Sequence, residues 1–249
     1  MFHRSKYTFL ANRTSAVRDA LFGDDIPIKQ LAEHPLDIMT LTTEKRTHLL
    51  AGPKISVIAD GNVIIRKDVP IRALMATSTK LHDLLHVKPK VTQFRVYGKI
   101  DHKSIERLLD IFTTNNVVEA EKIKLTSTHF AQDILLYQAC ASLGIYYVHV
   151  KPLLSALRAE TSARPLCVEE VNTILNRVPP TDPLFKHLAN DLCHRRFKKE
   201  IPDIVAFEKW LGLPSKKVLQ NAMVEIDRGH KIRREVYGNG YQKLVGERM

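Results

Sequence analysis

Apolar and polar positions alternate along two short stretches near the start of the chain. Residues 55–59 alternate and are rich in β-branched side chains, and residues 63–65 resume the same pattern. Asp60-Gly61 lies between them, and both residue types tolerate a positive φ. The pattern therefore predicts a β-hairpin with its turn at these two residues.

Helical spacing follows the hairpin at once. Pro70 suits the first turn of a helix, and the next apolar residues share one helical face: Ile71, Leu74 and Met75. A second apolar face begins at Leu81, and residues 94–97 alternate as a third strand that Gly98 ends. This stretch therefore predicts two helices and a third strand after the hairpin.

Two longer helices and the start of a third come next. Asp101 is a good N-cap for a helix whose apolar residues repeat at i, i+3, i+4 and i+7, namely Ile105, Leu108, Leu109 and Phe112. Thr128 opens a helix that Gly144 ends. A further stripe consists of Val150, Leu153, Leu154 and Leu157.

Beyond residue 160 the pattern is helical throughout. The first helix carries Val168, Val171, Ile174, Leu175 and Val178, and prolines end it. Asp182 and Asp203 are N-caps of the next two helices, and Ser215 is expected to cap the last one. The apolar stripe of that last helix stops at Ile226, so the chain from Asp227 onward is expected to project as a frayed, exposed helix.

The order of two strands, two helices, a strand, a helix and two further helices resembles a BTB/POZ domain of the fungal type. The closest likeness is the hairpin running into Pro70-Ile-Arg-Ala-Leu74, with Ser78 soon after. The resemblance implies an α+β fold, with a BTB/POZ-like domain at residues 51–160. An all-helical C-terminal extension at 161–236 is expected to pack on it. We expect a weakly structured leader at 1–50 and a disordered tail at 237–249.

This resemblance implies a non-catalytic protein–protein interaction module, which acts as a homodimer or as an adaptor for other proteins. In the family the dimer is built around the first helix and its flanking strands. Here that implies a dimer or partner surface formed by Val69, Ile71, Leu74 and Met75. The same residues equally fit a completed core, because a period of 3.6 does not say which neighbour covers a face.

Direct binding to a cullin scaffold is not expected. Adaptors of this family usually present a hydrophobic-x-Glu string after the second helix, and residues 86–92 contain no acid here. The unknown protein partners therefore stay open.

Composition and the cysteine count limit the cellular locations that we expect for the protein. No apolar run in the 249 residues approaches the roughly 20 that a membrane-spanning helix needs, and no secretory signal is apparent. Three widely spaced cysteines predict reduced, mostly buried thiols in an intracellular protein of the nucleus or cytoplasm. The first eighteen residues hold basic side chains and no acid, so a mitochondrial targeting peptide stays open beside a frayed basic tail.

Positive charge is concentrated at the C-terminal end. Of a net charge of +11, residues 194–249 supply 13 Lys and Arg against 7 Asp and Glu. The candidate basic patch comprises Arg228, Lys231, Arg233 and Arg234. The second functional hypothesis is thus a basic, nucleic-acid-associated regulatory protein that uses its C-terminal helices, although the attraction is expected to be weak and blind to sequence. Residues 195–199 fit either a nuclear import signal or a solvated helix end.

Local catalytic signatures are absent from the sequence. His82 and His86 stand at i and i+4, as in zinc metalloproteases, but no third ligand follows, and a solvated helix face is the preferred interpretation. No glycine-rich phosphate loop and no C-x-x-C pair occurs, so we predict no enzyme, no cofactor and no metal.

Phe207 and Trp210 share a helix face, where they anchor the C-terminal helices or line a partner groove.

Overall fold

The computed structural model describes residues 37–119, 125 and 129–237. The chain divides into two compact units, with the boundary between Ala156 and Leu157. Most of the described residues are helical, and a small three-stranded sheet lies in the first unit. The predicted α+β class is confirmed at this level.

The sheet begins with the predicted hairpin. Strands β1 (Lys54–Ile58) and β2 (Ile64–Pro70) pair antiparallel, with Gly61 at a φ of 73° in the turn between them. Strand β3 (Gln93–Arg95) pairs parallel with β1, which gives the order β2-β1-β3. Strand β2 is longer than predicted and ends at Pro70, which is the N-cap of the following helix and not its first residue.

The first unit begins with a helix that was not predicted, α1 (Thr43–Leu49). The helices after it follow the predicted order: α2 (Ile71–Thr77), α3 (Thr79–Val87), α4 (His102–Thr113), α5 (Phe130–Leu143) and the first part of α6 (Tyr147–Ala163). Asp101 caps α4 by accepting a hydrogen bond from the Ser104 N–H, at 2.9 Å. The four stripe residues of α4 are buried, as their spacing predicted. Thr128 lies outside the described residues, and α5 begins at Phe130.

The expectation of a weakly structured leader is wrong for residues 37–50. Asp37 and Thr42 cap a 3₁₀ turn (Ile38–Thr40) and α1. Arg46 is buried, and its guanidinium donates to the carbonyl oxygens of Leu41 and Val118, the latter at 3.0 Å. The seven residues of α1 are mostly polar and give little periodic signal, so the sequence did not predict this helix. The bond from Arg46 to Val118, 72 residues away, attaches it to the rest of the unit. The rest of the predicted leader, residues 1–36, lies outside the described residues.

Ser78 joins two parts of the first unit. Its Oγ accepts from the Leu81 N–H at 3.1 Å, which caps α3, and donates to the Leu143 carbonyl at the end of α5 at 2.5 Å. The Thr79 N–H donates to the Gly144 carbonyl at 2.8 Å. These bonds hold the start of α3 against the end of α5 and leave Ser78 fully buried.

The second unit contains helices alone among its described residues. They are the remainder of α6, then α7 (Val168–Arg177), α8 (Pro183–Lys198), α9 (Ile204–Leu211), a 3₁₀ turn (Pro214–Lys216) and α10 (Lys217–Tyr237). The predicted caps Asp182 and Asp203 are confirmed, and accept from backbone N–H groups at 2.7 and 2.8 Å. Ser215 is not the cap of the last helix, because it lies inside the 3₁₀ turn that begins at Pro214. Of the predicted disordered tail, residues 237–249, Tyr237 is the last residue of α10, and residues 238–249 lie outside the described residues.

Candidate functional site

A groove of about 360 Å³ opens on the second unit. Its first wall is the segment that leads into α7 and the start of that helix: Pro165, Leu166, Val168 and Val171. Its floor comes from α8, with Leu188 and Leu192. Its second wall is α9 and the residues before it: Ile201, Pro202, Ala206, Phe207 and Trp210. Eleven of the fifteen lining residues are apolar, and the groove is open to solvent.

The aromatic pair on α9 shapes the second wall. Asp203 caps α9, and Phe207 and Trp210 lie three residues apart on one face of this helix. Their ring centroids are 5.9 Å apart, and the ring planes are inclined by 33°. The ammonium of Lys216 lies 5.2 Å from the centre of the Trp210 ring and also donates to the Asn172 side chain. Trp210 is therefore held in place by a cation–π contact. Both aromatic residues are half-buried and line the groove. This fits the alternative that they line a partner groove.

Charge at the groove is uneven. Asp191 and Arg195 form an ion pair at 2.6 Å, and the Arg195 guanidinium also donates to two carbonyl oxygens of α6. These two charges offset each other. Glu200 and Asp203 also line the groove and are exposed, so the charged residues of the lining include two acids without a basic partner in that lining, although the whole chain has a net charge of +11.

A three-residue cluster fixes the first wall. Arg164 donates to Glu160 Oε1 at 2.9 Å and to both carboxylate oxygens of Glu170, at 2.6 and 2.8 Å. Glu170 in turn accepts from the Cys167 N–H at 2.9 Å, which completes a capping box at the start of α7. The Arg164 guanidinium lowers the pKa of Glu170 to about 2. The wall segment between Arg164 and Val168 is therefore restrained at both ends.

Glu170→Gln is expected to destabilise the second unit by about 1 to 2 kcal/mol at pH 7, because the amide keeps the cap but loses the charge-assisted bonds. Because the pKa of Glu170 is lower in the folded state, its carboxylate stabilises the fold above the unfolded-state value near 4.5. This stabilisation is lost as the pH falls toward 2. The difference between wild type and variant should thus shrink between about pH 5 and pH 2. Urea unfolding followed by the fluorescence of Trp210, the sole tryptophan, measures it. A difference that does not change with pH would contradict this role of the Glu170 charge.

The four residues predicted as a dimer or partner surface are buried inside the chain. Val69, Ile71, Leu74 and Met75 are 1, 4, 0 and 7% exposed. Their apolar face is covered by the first unit itself, since β2 and α2 pack against α4. Of the two interpretations of these residues, the completed core is the one that this burial supports. The prediction that these side chains form an exposed surface is corrected.

The predicted basic patch lies on the last helix. Arg228 and Lys231 are exposed, and an Arg228 Nη lies 3.6 Å from a Glu225 carboxylate oxygen. The backbone of Arg233 and Arg234 is helical, and α10 continues to Tyr237. In the neighbouring string 195–199, Arg195 and Arg196 are engaged in ion pairs. Attraction of these helices to nucleic acid stays a prediction.

The histidines and cysteines do not form a second candidate site among the described residues. His82 and His86 are half-buried on α3, and His82 Nδ1 lies 3.6 Å from an oxygen of Asp83. Cys140 and Cys193 are buried as predicted, and burial raises the pKa of the Cys193 thiol to about 12, whereas Cys167 is exposed. No three His, Cys, Asp or Glu side chains in the described part of the chain are grouped to hold a metal ion.

Sequence patterns did not predict most of this groove. Val168 belongs to the apolar stripe of α7 but is 52% exposed, because it precedes the first buried residue of the stripe by a helical turn. The signal that pointed to the site was the spacing of Phe207 and Trp210 after an N-cap. The first wall of the groove comes from residues about 40 positions earlier in the chain, and no periodicity shows that these residues line the same groove.

Among the described residues, no helix combines the length and the apolar character needed to cross a membrane. Comparison of the chain with protein-family models, with curated proteins and with solved structures finds no match.

Proposed function

We propose that this chain is a non-catalytic protein–protein interaction module of the BTB/POZ type, which forms a homodimer through its first unit and acts as an adaptor. The observation that carries the proposal is the order of elements in that unit. Hairpin, two helices, strand, helix and two further helices follow one another as the resemblance implies. Ser78, part of the same resemblance, is the buried joint between α3 and α5.

The second copy is expected to bind at β2 and the turn before it. In the order β2-β1-β3, strand β2 pairs on one side only within the described residues, so it is an edge strand. Edge strands are templates for pairing with another chain. Val63 and Ile64 add exposed apolar side chains at the start of this strand, and Ile64 is 51% exposed. The dimer surface proposed here therefore flanks α2 and does not use its buried face.

Light scattering on the full chain at tens of micromolar tests the proposal. The expected result is a particle of about twice 28.4 kDa for the wild type. Ile64→Lys should shift it to a monomer with an unchanged circular dichroism spectrum, because an edge lysine blocks pairing without entering the core.

Val87→Lys is the matched control, since Val87 is an exposed apolar residue of the same unit at the end of α3. This variant should remain a dimer. A wild-type protein that is monomeric throughout this concentration range would refute homodimerisation. A dimer that both variants preserve would refute the assignment to β2.

A further inference from the structure

We propose that the groove of the second unit binds a peptide segment of a partner protein that carries apolar anchors next to Lys or Arg. This inference deepens the proposed adaptor function and rests on it, because it names the chemistry of the segment that is recruited. Two independent features of the groove indicate the chemistry of the peptide: the apolar lining and the acidic residues at the rim.

The apolar lining supplies the anchor positions. Phe207 and Trp210 contribute half-buried rings to the lining, and Val168, which also lines the groove, is 52% exposed. Aromatic residues at the centre of a concave, apolar surface are the usual energetic centre of an interface. Peptide helices that dock in such grooves insert apolar side chains spaced at i, i+3, i+4 and i+7.

The rim charge selects the sign of the partner. Asp191 is offset by Arg195, which leaves the carboxylates of Glu200 and Asp203 at the rim of the groove. A basic segment gains from these carboxylates, and an acidic one is repelled. The chain as a whole is strongly basic, so this local negative charge is opposite to what its composition predicts.

The groove is also preformed. The Arg164 cluster restrains one wall, and the contact of Lys216 with Trp210 restrains the other. A surface that needs no reordering loses less free energy on binding, which lets a short peptide bind measurably.

The probe is a phage-displayed library of random 16-residue peptides without tryptophan, selected on the full-length protein. The expected result is enrichment of peptides that combine two or more large apolar residues with neighbouring Lys or Arg. Synthetic copies of the enriched peptides are then titrated while Trp210 is excited at a wavelength selective for tryptophan. Because Trp210 is the sole tryptophan of the chain, a change in its emission and a loss of acrylamide quenching report occupancy of the groove itself.

Two variants separate the two features of the groove. Val168→Asn should weaken binding about tenfold, since it puts a polar amide in the apolar lining and leaves the charge of the groove unchanged. The double change Glu200→Gln and Asp203→Asn should weaken binding about three- to tenfold at low salt and less at high salt. Asn at position 203 preserves the N-cap of α9.

Val205→Asn is the matched control. Val205 is 77% exposed on α9 and does not line the groove. The affinity of this variant for the peptides should stay within about twofold of that of the wild type, because the change adds no charge and alters no residue that lines the groove.

Each contrary outcome overturns the inference. These outcomes are no enrichment, enrichment of acidic peptides, peptide binding that leaves Trp210 emission unchanged, and binding that Val168→Asn does not weaken. Light scattering on the same samples separates the two proposals. A dimer whose groove binds nothing refutes the inference alone, and a monomer whose groove binds the peptides refutes homodimerisation alone.

Discussion

Leu74→Asp is expected to unfold the first unit and not to release a folded monomer. Leu74 is completely buried between β2, α3 and α4. The change removes about 2 kcal/mol of apolar burial and places an unpaired carboxylate in the core, which costs several kcal/mol more. The total approaches the whole stability of a typical domain. Circular dichroism and hydrogen exchange over residues 54–113 measure the loss.

The same experiment separates the two interpretations of the apolar face of α2, a dimer surface or part of the core. A residue that serves only a dimer surface would give a folded, monomeric variant. Val87→Asp, on the exposed end of α3, is the control and should leave the fold intact. A Leu74→Asp protein with native circular dichroism and native exchange protection would show that this face is not the core of the unit.

Gly144→Ala is expected to destabilise the first unit by about 2 to 4 kcal/mol, whereas Gly61→Ala should cost only about 1 kcal/mol. The two glycines have nearly the same φ, 71° and 73°, so the strain of the left-handed backbone is common to both. They differ in their surroundings. A Cβ at Gly144 would lie 2.7 Å from Lys80 Cγ and 2.9 Å from Thr79 Oγ1, and a Cβ at Gly61 would meet nothing within 4 Å.

The neighbours of Gly144 have limited freedom to move away. Thr79 is hydrogen-bonded to the Gly144 carbonyl through its N–H, and the Lys80 ammonium donates to the carbonyls of Ala141 and Ser142, both at 2.9 Å. Relief of the clash would cost some of these bonds and loosen the α3–α5 joint. Urea titrations of the three proteins, followed by circular dichroism, give the comparison. Equal losses for both variants would mean that the backbone strain alone explains them.

Local chemistry predicted the ends of several elements correctly. Asp101, Asp182 and Asp203 each cap the helix that follows them, and Gly144 ends α5 in the left-handed conformation. The hairpin and the buried stripe of α4 were also predicted. The caps and the turn depend on hydrogen bonds and backbone preferences of residues a few positions apart, and the stripe depends on one repeated spacing, so the local sequence is enough to predict them.

Other local predictions were wrong for a common reason. Ser215 has a capping side chain, but the turn begins at Pro214, and β2 runs on to Pro70 because its partner strand begins opposite that residue. A cap or a helix-starting proline states only what a position permits. Pairing with another element decides where an element begins and ends.

What the sequence by itself determined is the type of most elements, their order and the caps that start and end them. The tertiary structure alone decided which apolar face is covered. It buries Ile71 and Met75, leaves Val168 at the rim of a groove, and makes α1 part of the first unit through the contacts of Arg46. The physical reason is that periodicity defines a face but not its neighbour, and burial depends on side chains that are distant along the chain.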